Sequence, residues 1–296
     1  MNARHWALVT LLAVLWGSSF LMAEIALKAL APFTIVFFRI GTAAVLLCIT
    51  LRVRGMWLGV IWQRRRKYIV LAFFGSAFPF AGFSWGQQYI DSSLAGVLNS
   101  TTPLFTLVMA CMVGEETMRW RRLVGLFIGV VGITVLFQPG LETDDAFFWG
   151  SMAGLAASAS YGVVAIFARR YTADFAPMEN ACGQLIWATL LLLPLCLWEA
   201  PWQMPLPPAG ALLAVASMAM FSTYCAFLLY FYLIRTIGAV NTTQTAFIIP
   251  LVAVILGVML LNENIGTAFF VGASLVMFGL LIANRRTEPG DDNCKK

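Results

Sequence analysis

Apolar residues recur along the chain in ten long stretches, and charged residues, glycines or prolines fall between them. Each stretch is close to the ~20 residues that an α-helix needs to cross the hydrocarbon core of a bilayer. Backbone groups in lipid must be hydrogen-bonded within their own segment, so the stretches predict membrane-spanning helices. The predicted spans are residues 6–26, 33–53, 68–89, 94–113, 121–138, 148–168, 178–198, 209–231, 239–260 and 265–284.

The composition is that of an integral membrane protein. Hydrophobic residues make up 60% of the 296-residue chain, charged residues make up 11%, and the mean hydropathy is +0.84. A soluble domain carries roughly 25% charged residues. The predicted fold class is therefore all-α and integral to the membrane, with ten transmembrane helices and the lipid bilayer as a partner.

Charge along the chain predicts its orientation. If the N-terminus is cytoplasmic, every one of the 19 lysines and arginines except Lys28 and Arg39 falls on the cytoplasmic side. Such an excess of positive charge is what orients membrane proteins. We expect a multi-pass protein of a bacterial plasma (inner) membrane with both termini cytoplasmic. The net charge of +5 is then an orientation signal and does not indicate a nucleic-acid partner.

The chain contains an internal repeat with the pattern Pro-x12-Glu-x8-Gly-x6-Gly, and the second copy lies 147 residues after the first. The copies are Pro103, Glu116, Gly125, Gly132 and Pro250, Glu263, Gly272, Gly279. At an offset of 145, Trp16-Gly17 matches Tyr161-Gly162. Each copy holds five predicted spans, an odd number, so equivalent helices cross the membrane in opposite directions and the two repeats are inverted.

The repeat also predicts how the chain is divided. The first repeat, with spans one to five, covers residues 1–138, and a connecting loop covers 139–147. The second repeat, with spans six to ten, covers 148–284, and a cytoplasmic tail covers 285–296.

Three further motifs support a family resemblance. They are the opening Leu15-Trp16-Gly17-Ser18-Ser19-Phe20, the Pro32…Arg39 start of the second span, and Pro-x12-Glu before a Gly-rich last helix. With the repeat, they resemble the drug/metabolite transporter superfamily, and specifically its EamA-type exporters, which include YddG-like exporters of aromatic amino acids. The resemblance covers essentially the whole chain. It implies a central cavity lined mainly by helices 1, 3, 4, 6, 8 and 9.

On those helices, aromatic and neutral polar residues gather within the predicted spans. Polar side chains at that depth prefer the bundle interior, where they bond another helix or line a wet cavity. Contact between helices explains any one of them, whereas the set as a whole predicts an aromatic cavity with hydrogen-bonding groups. The candidate substrate-binding residues are Trp16, Ser19, Phe80, Trp85, Asn99, Thr102, Tyr161, Tyr224, Phe227, Tyr230 and Gln244.

The spacing that the two copies of the repeat share places prolines and glutamates at equivalent positions. Pro103 and Pro250 lie about midway along spans four and nine, where a proline frees a carbonyl and bends the helix. Their recurrence favours a hinge or a bend that shapes the cavity, and a static packing kink is the alternative. Glu116 and Glu263 each precede the next helix, where an acid is expected to cap free N–H groups.

Two charged residues are candidate charge partners. Arg39 lies well inside a span, where an unpaired arginine costs about 2.5–3.5 kcal/mol on insertion scales, and its counterpart at an offset of 145 is Gln184. Arg39 either anchors a substrate carboxylate or is structural, paired with Glu24 or reaching the outer interface, and the resemblance favours a structural role. Glu24 either carries a coupled proton or pairs with Lys28, one turn away.

No catalytic, metal or cofactor site is predicted. The six cysteines lack the spacing of a disulfide framework or a metal site, and the sole histidine, His5, lies outside the spans. The sequence also lacks a Gly-rich phosphate loop, so direct use of ATP is not expected.

The predicted function is that of a secondary transporter and not of an enzyme. We expect it to export small metabolites, above all aromatic or hydrophobic amino acids, by alternating access. The alternative is efflux or uptake of quaternary or lipophilic cations, or of other small metabolites, since aromatic cages bind such cations. The expected partner is a small-molecule substrate, and the expected assembly is a monomer.

Overall fold

The computed structural model describes residues 2–56, 59–137, 145–238, 242 and 244–284. These residues are largely helical and contain no strand, which confirms the all-α prediction. Their long helices are α1 (Ala3–Leu27), α2 (Pro32–Val53), α3 (Arg65–Gly86), α4 (Ser92–Met112), α5 (Trp120–Leu136), α6 (Asp145–Tyr171), α7 (Pro177–Trp198), α8 (Ala209–Ile237), α9 (Thr245–Leu261) and α10 (Thr267–Asn284).

Within the described ranges, seven helices are long and apolar enough to cross a membrane, namely α1–α4 and α6–α8. Helices α5, α9 and α10 have 17, 17 and 18 residues, slightly fewer than the ~20 that span the hydrocarbon core. The protein is therefore a multi-pass membrane protein, and the count of ten spans stays a prediction. Helix α6 begins at Asp145, inside the predicted connecting loop. Residues 139–144 of that loop and the tail 285–296 lie outside the described residues.

Local sequence sets several helix boundaries. Pro32 is the first residue of α2 and Pro177 is the first residue of α7. The fixed φ of proline suits this position, and its missing N–H leaves no helical bond unmade. The first helix is capped by Asn2, whose Oδ1 accepts the N–H of His5 at 3.0 Å.

Glycines bring α5 and α10 into close contact. A Cβ on Gly125 would lie 2.6 Å from the carbonyl oxygen of Gly279, and a Cβ on Gly132 would lie 2.8 Å from that of Gly272. A larger residue at any of these positions would collide with the facing backbone. Helices in membranes approach this closely where small residues face each other. The glycines of the repeat are therefore packing positions.

A second type of close contact occurs twice, and each time a glycine of one half of the chain faces a helix of the other half. A Cβ on Gly17 of α1 would lie 2.8 Å from the Cβ of Val252 in α9. A Cβ on Gly162 of α6 would lie 3.1 Å from the carbonyl carbon of Phe105 in α4. Gly17 and Gly162 are related by the offset of 145, and Phe105 and Val252 by the offset of 147. The two halves therefore repeat in their packing as well as in their sequence.

Helices α3 and α8 each contain a π-helical segment. The segments are Phe73–Ala77 in α3 and Met218–Cys225 in α8, and their first residues are 145 apart. Regular α-helix flanks both segments. Because π turns are rare and often lie at functional sites, this pair marks α3 and α8 as helices of functional interest.

Helix α4 is broken near its middle. The first piece ends at Asn99, a turn follows at residues 100–101, and the second piece begins at Thr102 with Pro103 as its second residue. In contrast, Pro250 is buried inside an uninterrupted α9. The two prolines therefore differ in their local structure, and the hinge role of both stays a prediction.

Side chains add hydrogen bonds at the break, beside the bond of 3.1 Å that the carbonyl of Leu98 accepts from the N–H of Thr101. The carbonyl of Leu98 accepts from the hydroxyl of Thr101 at 2.6 Å and from the hydroxyl of Ser158 at 2.8 Å. Ser158 belongs to α6, so the same bond that satisfies the backbone also joins the break to a neighbouring helix.

The Glu263 carboxylate binds the start of α4. Its Oε1 accepts from the N–H of Ser92 at 3.0 Å and from the Ser92 hydroxyl at 2.6 Å. Its Oε2 accepts from the N–H of Ser93 at 3.2 Å and from the Ser93 hydroxyl. The expectation that Glu263 caps the next helix, α10, is wrong. Asn262 has a left-handed φ of 56°, which turns the chain after α9 and directs Glu263 toward α4.

Acidic residues at the other end of α4 form ion pairs with arginines. Glu116 accepts from Nη1 of Arg122 in α5 at 2.9 Å, and Glu115 pairs with Arg169 and Arg170 at the end of α6. The capping role expected of Glu116 is thus replaced by an ion pair, because the basic first turns of α5 bring a guanidinium within reach.

Replacing Glu263 by glutamine should lower the thermal stability of the purified protein by several degrees. The variant retains one acceptor oxygen for four donors, and an unsatisfied buried donor costs about 1–3 kcal/mol. The melting temperature in detergent measures the effect. Glu116→Gln is the matched control, because a partly exposed ion pair contributes about 0–1 kcal/mol. Equal shifts in the two variants would contradict the capping role of Glu263.

Gly132→Ala should also destabilise the protein, because the new methyl group would collide with the backbone of α10. Gly210→Ala is the control, since nothing lies within 4 Å of a Cβ at that helical position. Alanine there should be neutral or stabilising, by up to about 1 kcal/mol. Loss of monodisperse protein on heating can be followed by size-exclusion chromatography. An unchanged melting curve for Gly132→Ala would show that α5 and α10 separate easily.

Candidate functional site

Aromatic residues from three helices lie at the centre of the bundle. The ring centroids of Trp16 in α1 and Tyr230 in α8 are 5.4 Å apart. Trp16 and Tyr161 in α6 pack against the same buried cluster, which includes Leu98 and Ala157. The rings lie within long helices, and Tyr161 and Tyr230 are deep in the protein, yet all three keep accessible surface. Parts of the three rings are therefore not covered by neighbouring side chains.

The break in α4 adds hydrogen-bonding groups next to this cluster. Asn99 and Thr102 flank the break and are half-buried. The Oγ1 atom of Thr102 is buried and has no hydrogen-bond partner among the described residues. Because an unpartnered buried hydroxyl is costly, it is a candidate to bond a ligand.

Arg39 brings a positive charge to the same region. Its Nε donates to the hydroxyl of Thr223 at 3.1 Å, and its Nη1 lies 3.9 Å from the sulfur of Met218. Its Cζ lies 4.5 Å from the centroid of the Phe80 ring, a cation–π contact. No carboxylate of the described residues pairs with Arg39, so the pairing with Glu24 considered from the sequence does not occur among them.

Together these residues are a candidate binding site, which we call the central site. It combines aromatic surface, neutral hydrogen-bonding groups and one guanidinium within the interior of the bundle. Tyr161 links its two parts, because its hydroxyl lies near enough to Arg39 to interact electrostatically. The central site consists of Trp16, Arg39, Phe80, Asn99, Thr102, Tyr161, Thr223 and Tyr230.

Three other candidate residues make contacts within the helical framework. The hydroxyl of Ser19 donates to the carbonyl of Trp16 at 2.6 Å. The hydroxyl of Tyr224 is hydrogen-bonded to that of Thr50 in α2 at 2.8 Å. The ring of Phe227 stacks on Phe231, with centroids 6.1 Å apart, and packs on the core between α2, α3 and α7. The two hydroxyls and the aromatic ring are therefore already engaged in contacts within the protein.

Trp85 and Gln244 are the two remaining candidate residues. Trp85 lines an apolar groove of ≈ 330 Å³ between α2, α3, α6 and α7, and no residue of the central site lines that groove. Gln244 comes immediately before α9 as described, and residues 239–241 and 243 of its predicted span lie outside the described residues. Its role in substrate binding stays a prediction.

No sequence pattern indicated Thr223 or Met218, which lie in the π-helical segment of α8. The repeat does give a partial signal. Gln184, the counterpart of Arg39, donates from Nε2 to the hydroxyl of Ser76 at 2.7 Å. Ser76 lies in the π-helical segment of α3. A polar side chain of α2 or α7 therefore bonds each π-helical segment.

A polar pocket of ≈ 320 Å³ lies at the end of the bundle where Glu263 binds α4. Glu24, Asp91 and Glu263 contribute carboxylates to it, and Lys28 contributes an ammonium group. The Oε2 atom of Glu24 is buried without a hydrogen-bond partner among the described residues. Burial raises the pKa of Asp91, and the nearby Glu263 carboxylate raises it further. The pocket thus concentrates negative charge at one face of the protein.

No group of three or more His, Cys, Asp or Glu side chains within the described part of the chain could hold a metal ion. Cys48 and Cys182 approach each other, with their sulfur atoms 3.4 Å apart, where α2 packs on α7.

Known proteins resemble this chain along most of its length. The uncharacterized inner membrane transporter YedA of Escherichia coli (strain K12) is 27% identical over 275 residues, which are 92% of this chain and 87% of that protein. A protein of Streptantibioticus cattleyicolor with the name "Probable terminal-alkyne amino-acid exporter" is 25% identical over 286 residues, 95% of this chain and 93% of that protein.

A solved crystal structure shares the fold, with a TM-score of 0.65, 17% sequence identity, and coverage of 96% of this chain and 98% of its own. The sequence model of the EamA-like transporter family matches the chain twice, over residues 5–138 and 148–285. Because these two matches cover most of the chain, the protein belongs to the EamA-like transporter family.

Proposed function

We propose that the protein is a secondary transporter that exports small, partly apolar metabolites, above all aromatic or hydrophobic amino acids, by alternating access. The observation that carries this proposal is the central site, where aromatic rings and hydrogen-bonding groups lie together inside the bundle. Substrate sites of transporters built from repeats lie near the bilayer midplane where the repeats meet. The similarity to a protein named as an amino-acid exporter supports the substrate class.

The proposed architecture is a pair of inverted five-helix repeats that give ten spans. Gly125 and Gly272 occupy equivalent positions in the two repeats, and so do Gly132 and Gly279. The contact of Gly125 with Gly279 therefore has an equivalent, the contact of Gly272 with Gly132, and both contacts occur. A two-fold axis in the membrane plane that exchanges α5 with α10 produces this kind of pairing. The matched contacts of Gly17 and Gly162 support the same axis.

The proposed orientation has both termini in the cytoplasm. Arg169 and Arg170 at the end of α6 then lie inside, as the excess of positive charge in cytoplasmic loops requires. The acidic pocket with Glu263 then faces outward.

In this orientation the contacts between α4 and α9 lie on the outer side. The first piece of α4 packs against α9, and Glu263 binds its first turn. The second piece of α4 packs against α6. The turn at residues 100–101 thus separates a piece that packs mainly on α9 from a piece that packs mainly on α6. We expect an opening to the outside to separate Glu263 from Ser92 and Ser93.

In the proposed binding mode, Trp16 and Tyr230 contact the apolar part of the substrate, and Asn99 and Thr102 bond its polar part. Quaternary or lipophilic cations are the second candidate class, because the two rings offer faces that attract cations. The charge of Arg39 disfavours them, since it repels a cation and has no paired carboxylate among the described residues.

Purified protein in proteoliposomes should exchange labelled phenylalanine or leucine in a counterflow assay. Labelled choline is the competing probe, and a pH gradient shows whether exchange depends on protons. Exchange of choline without exchange of any amino acid would make the proposed substrate class wrong.

Trp16→Ala should reduce phenylalanine counterflow at subsaturating concentration by about tenfold, which corresponds to about 1.4 kcal/mol of lost binding. The loss follows from removal of the ring that faces Tyr230. Trp198→Ala is the control, because that ring is at the end of α7 and is 78% exposed. Normal counterflow by a correctly inserted Trp16→Ala protein would remove Trp16 from the site.

A further inference from the structure

Arg39 is a cation at the centre of the bundle with no carboxylate paired to it among the described residues. Its contacts are a neutral hydroxyl (Thr223), a thioether (Met218) and an aromatic face (Phe80). None of these groups carries a negative charge. The charge therefore stays uncompensated by the part of the protein that the structure describes.

Part of the guanidinium is still available for hydrogen bonding. The group has five N–H donors in a planar fork. Nε bonds Thr223 and Nη1 points at the sulfur of Met218, whereas Nη2 donates to no described residue. The side chain keeps accessible surface although it lies deep in the protein. The Nη2 group of Arg39 is thus free to donate to a bound molecule.

Comparison of the two repeats shows which part of the role of Arg39 needs a positive charge. Gln184 occupies the equivalent position in α7 and bonds the π-helical segment of α3 through Ser76, as Arg39 bonds that of α8 through Thr223. A neutral amide is therefore sufficient for this contact. A positive charge, which is costly at this depth, serves another purpose.

We propose that Arg39 binds the carboxylate of the transported molecule, so that the substrates are apolar carboxylates, amino acids among them. The assignment rests on the proposed transport function and specifies its substrate class. A guanidinium matches a carboxylate geometrically, because two parallel N–H groups bond its two oxygens. The hydroxyl of Tyr161, close to Arg39, supplies a further donor. The aromatic faces of Trp16 and Tyr230 contact the apolar end of the same molecule.

The test compares ligands that differ only at the carboxylate. Binding of phenylalanine and of phenylalaninamide to the purified protein in nanodiscs is measured by tryptophan fluorescence and calorimetry. The intact protein should prefer phenylalanine by at least tenfold. In Arg39→Gln the ratio of the two affinities should fall to within about twofold, and Arg39→Lys should keep part of the preference because it keeps the charge.

Gln184→Ala is the matched control, because it removes the equivalent contact with a π-helical segment but no charge. It should leave the ratio of affinities unchanged even if it lowers stability. An intact protein that binds both ligands equally overturns the inference. So does an Arg39→Gln protein that loses both ligands in equal proportion, since that result indicates a structural role. If Arg39→Gln does not fold, the test rests on the ratio of the two ligand affinities in the intact protein and in Arg39→Lys. A ratio of one in the intact protein, or an equal ratio in both proteins, would then overturn the inference.

A second ligand pair, 3-phenylpropionate and 3-phenylpropanamide, distinguishes this inference from the broader proposal. Preferential binding of the propionate, with no binding or exchange of any amino acid, would support the role of Arg39 and make the amino-acid class wrong. Exchange of amino acids without a preference for carboxylates would leave transport intact and overturn the role of Arg39. Absence of binding by every carboxylate would overturn both.

Discussion

Every polar backbone group within a bilayer needs a partner from the protein, and this requirement controls each irregularity of the fold. At the break in α4, the carbonyl of Leu98 accepts from the hydroxyls of Thr101 and Ser158 in addition to the N–H of Thr101. The first turn of α4 leaves its N–H groups to Glu263. In both places, the side chain that satisfies the backbone also joins two regions of the bundle. Irregular backbone therefore coincides with connections that a conformational change would have to break or keep.

The remaining packing divides the molecule into stiff and adaptable parts. Glycine contacts hold α5 to α10, α1 to α9, and α4 to α6 at distances that leave no room for larger residues. Helices α3 and α8 have π-helical segments instead, each bonded through one polar side chain. A π turn can migrate along a helix by exchange of single hydrogen bonds, whereas a glycine interface must separate as a whole.

Much of this fold was predictable from sequence because its causes are local. Length and hydropathy define the helices, and the repeat offset relates Gly17 to Gly162. The site was predicted less completely. Ser19 and Tyr224 are polar at suitable positions, but their hydroxyls are satisfied within the framework, which only the tertiary contacts show. The prediction that Glu263 caps α10 was wrong for the same reason. Capping between helices that are distant in sequence depends on how the chain turns at Asn262.

The difference between Arg39 and Gln184 has a consequence for how a molecule enters the central site. A site with two-fold symmetry would accept an elongated ligand in either of two opposite orientations with equal energy. If Arg39 binds the carboxylate of the ligand as proposed, a guanidinium in one repeat and a neutral amide at the equivalent position of the other remove this degeneracy. The charged end of the ligand then has a single binding position. The molecule would then leave the protein with the same end leading in every cycle. The duplication gives two halves of matching structure, and the difference between Arg39 and Gln184 would orient the ligand between them.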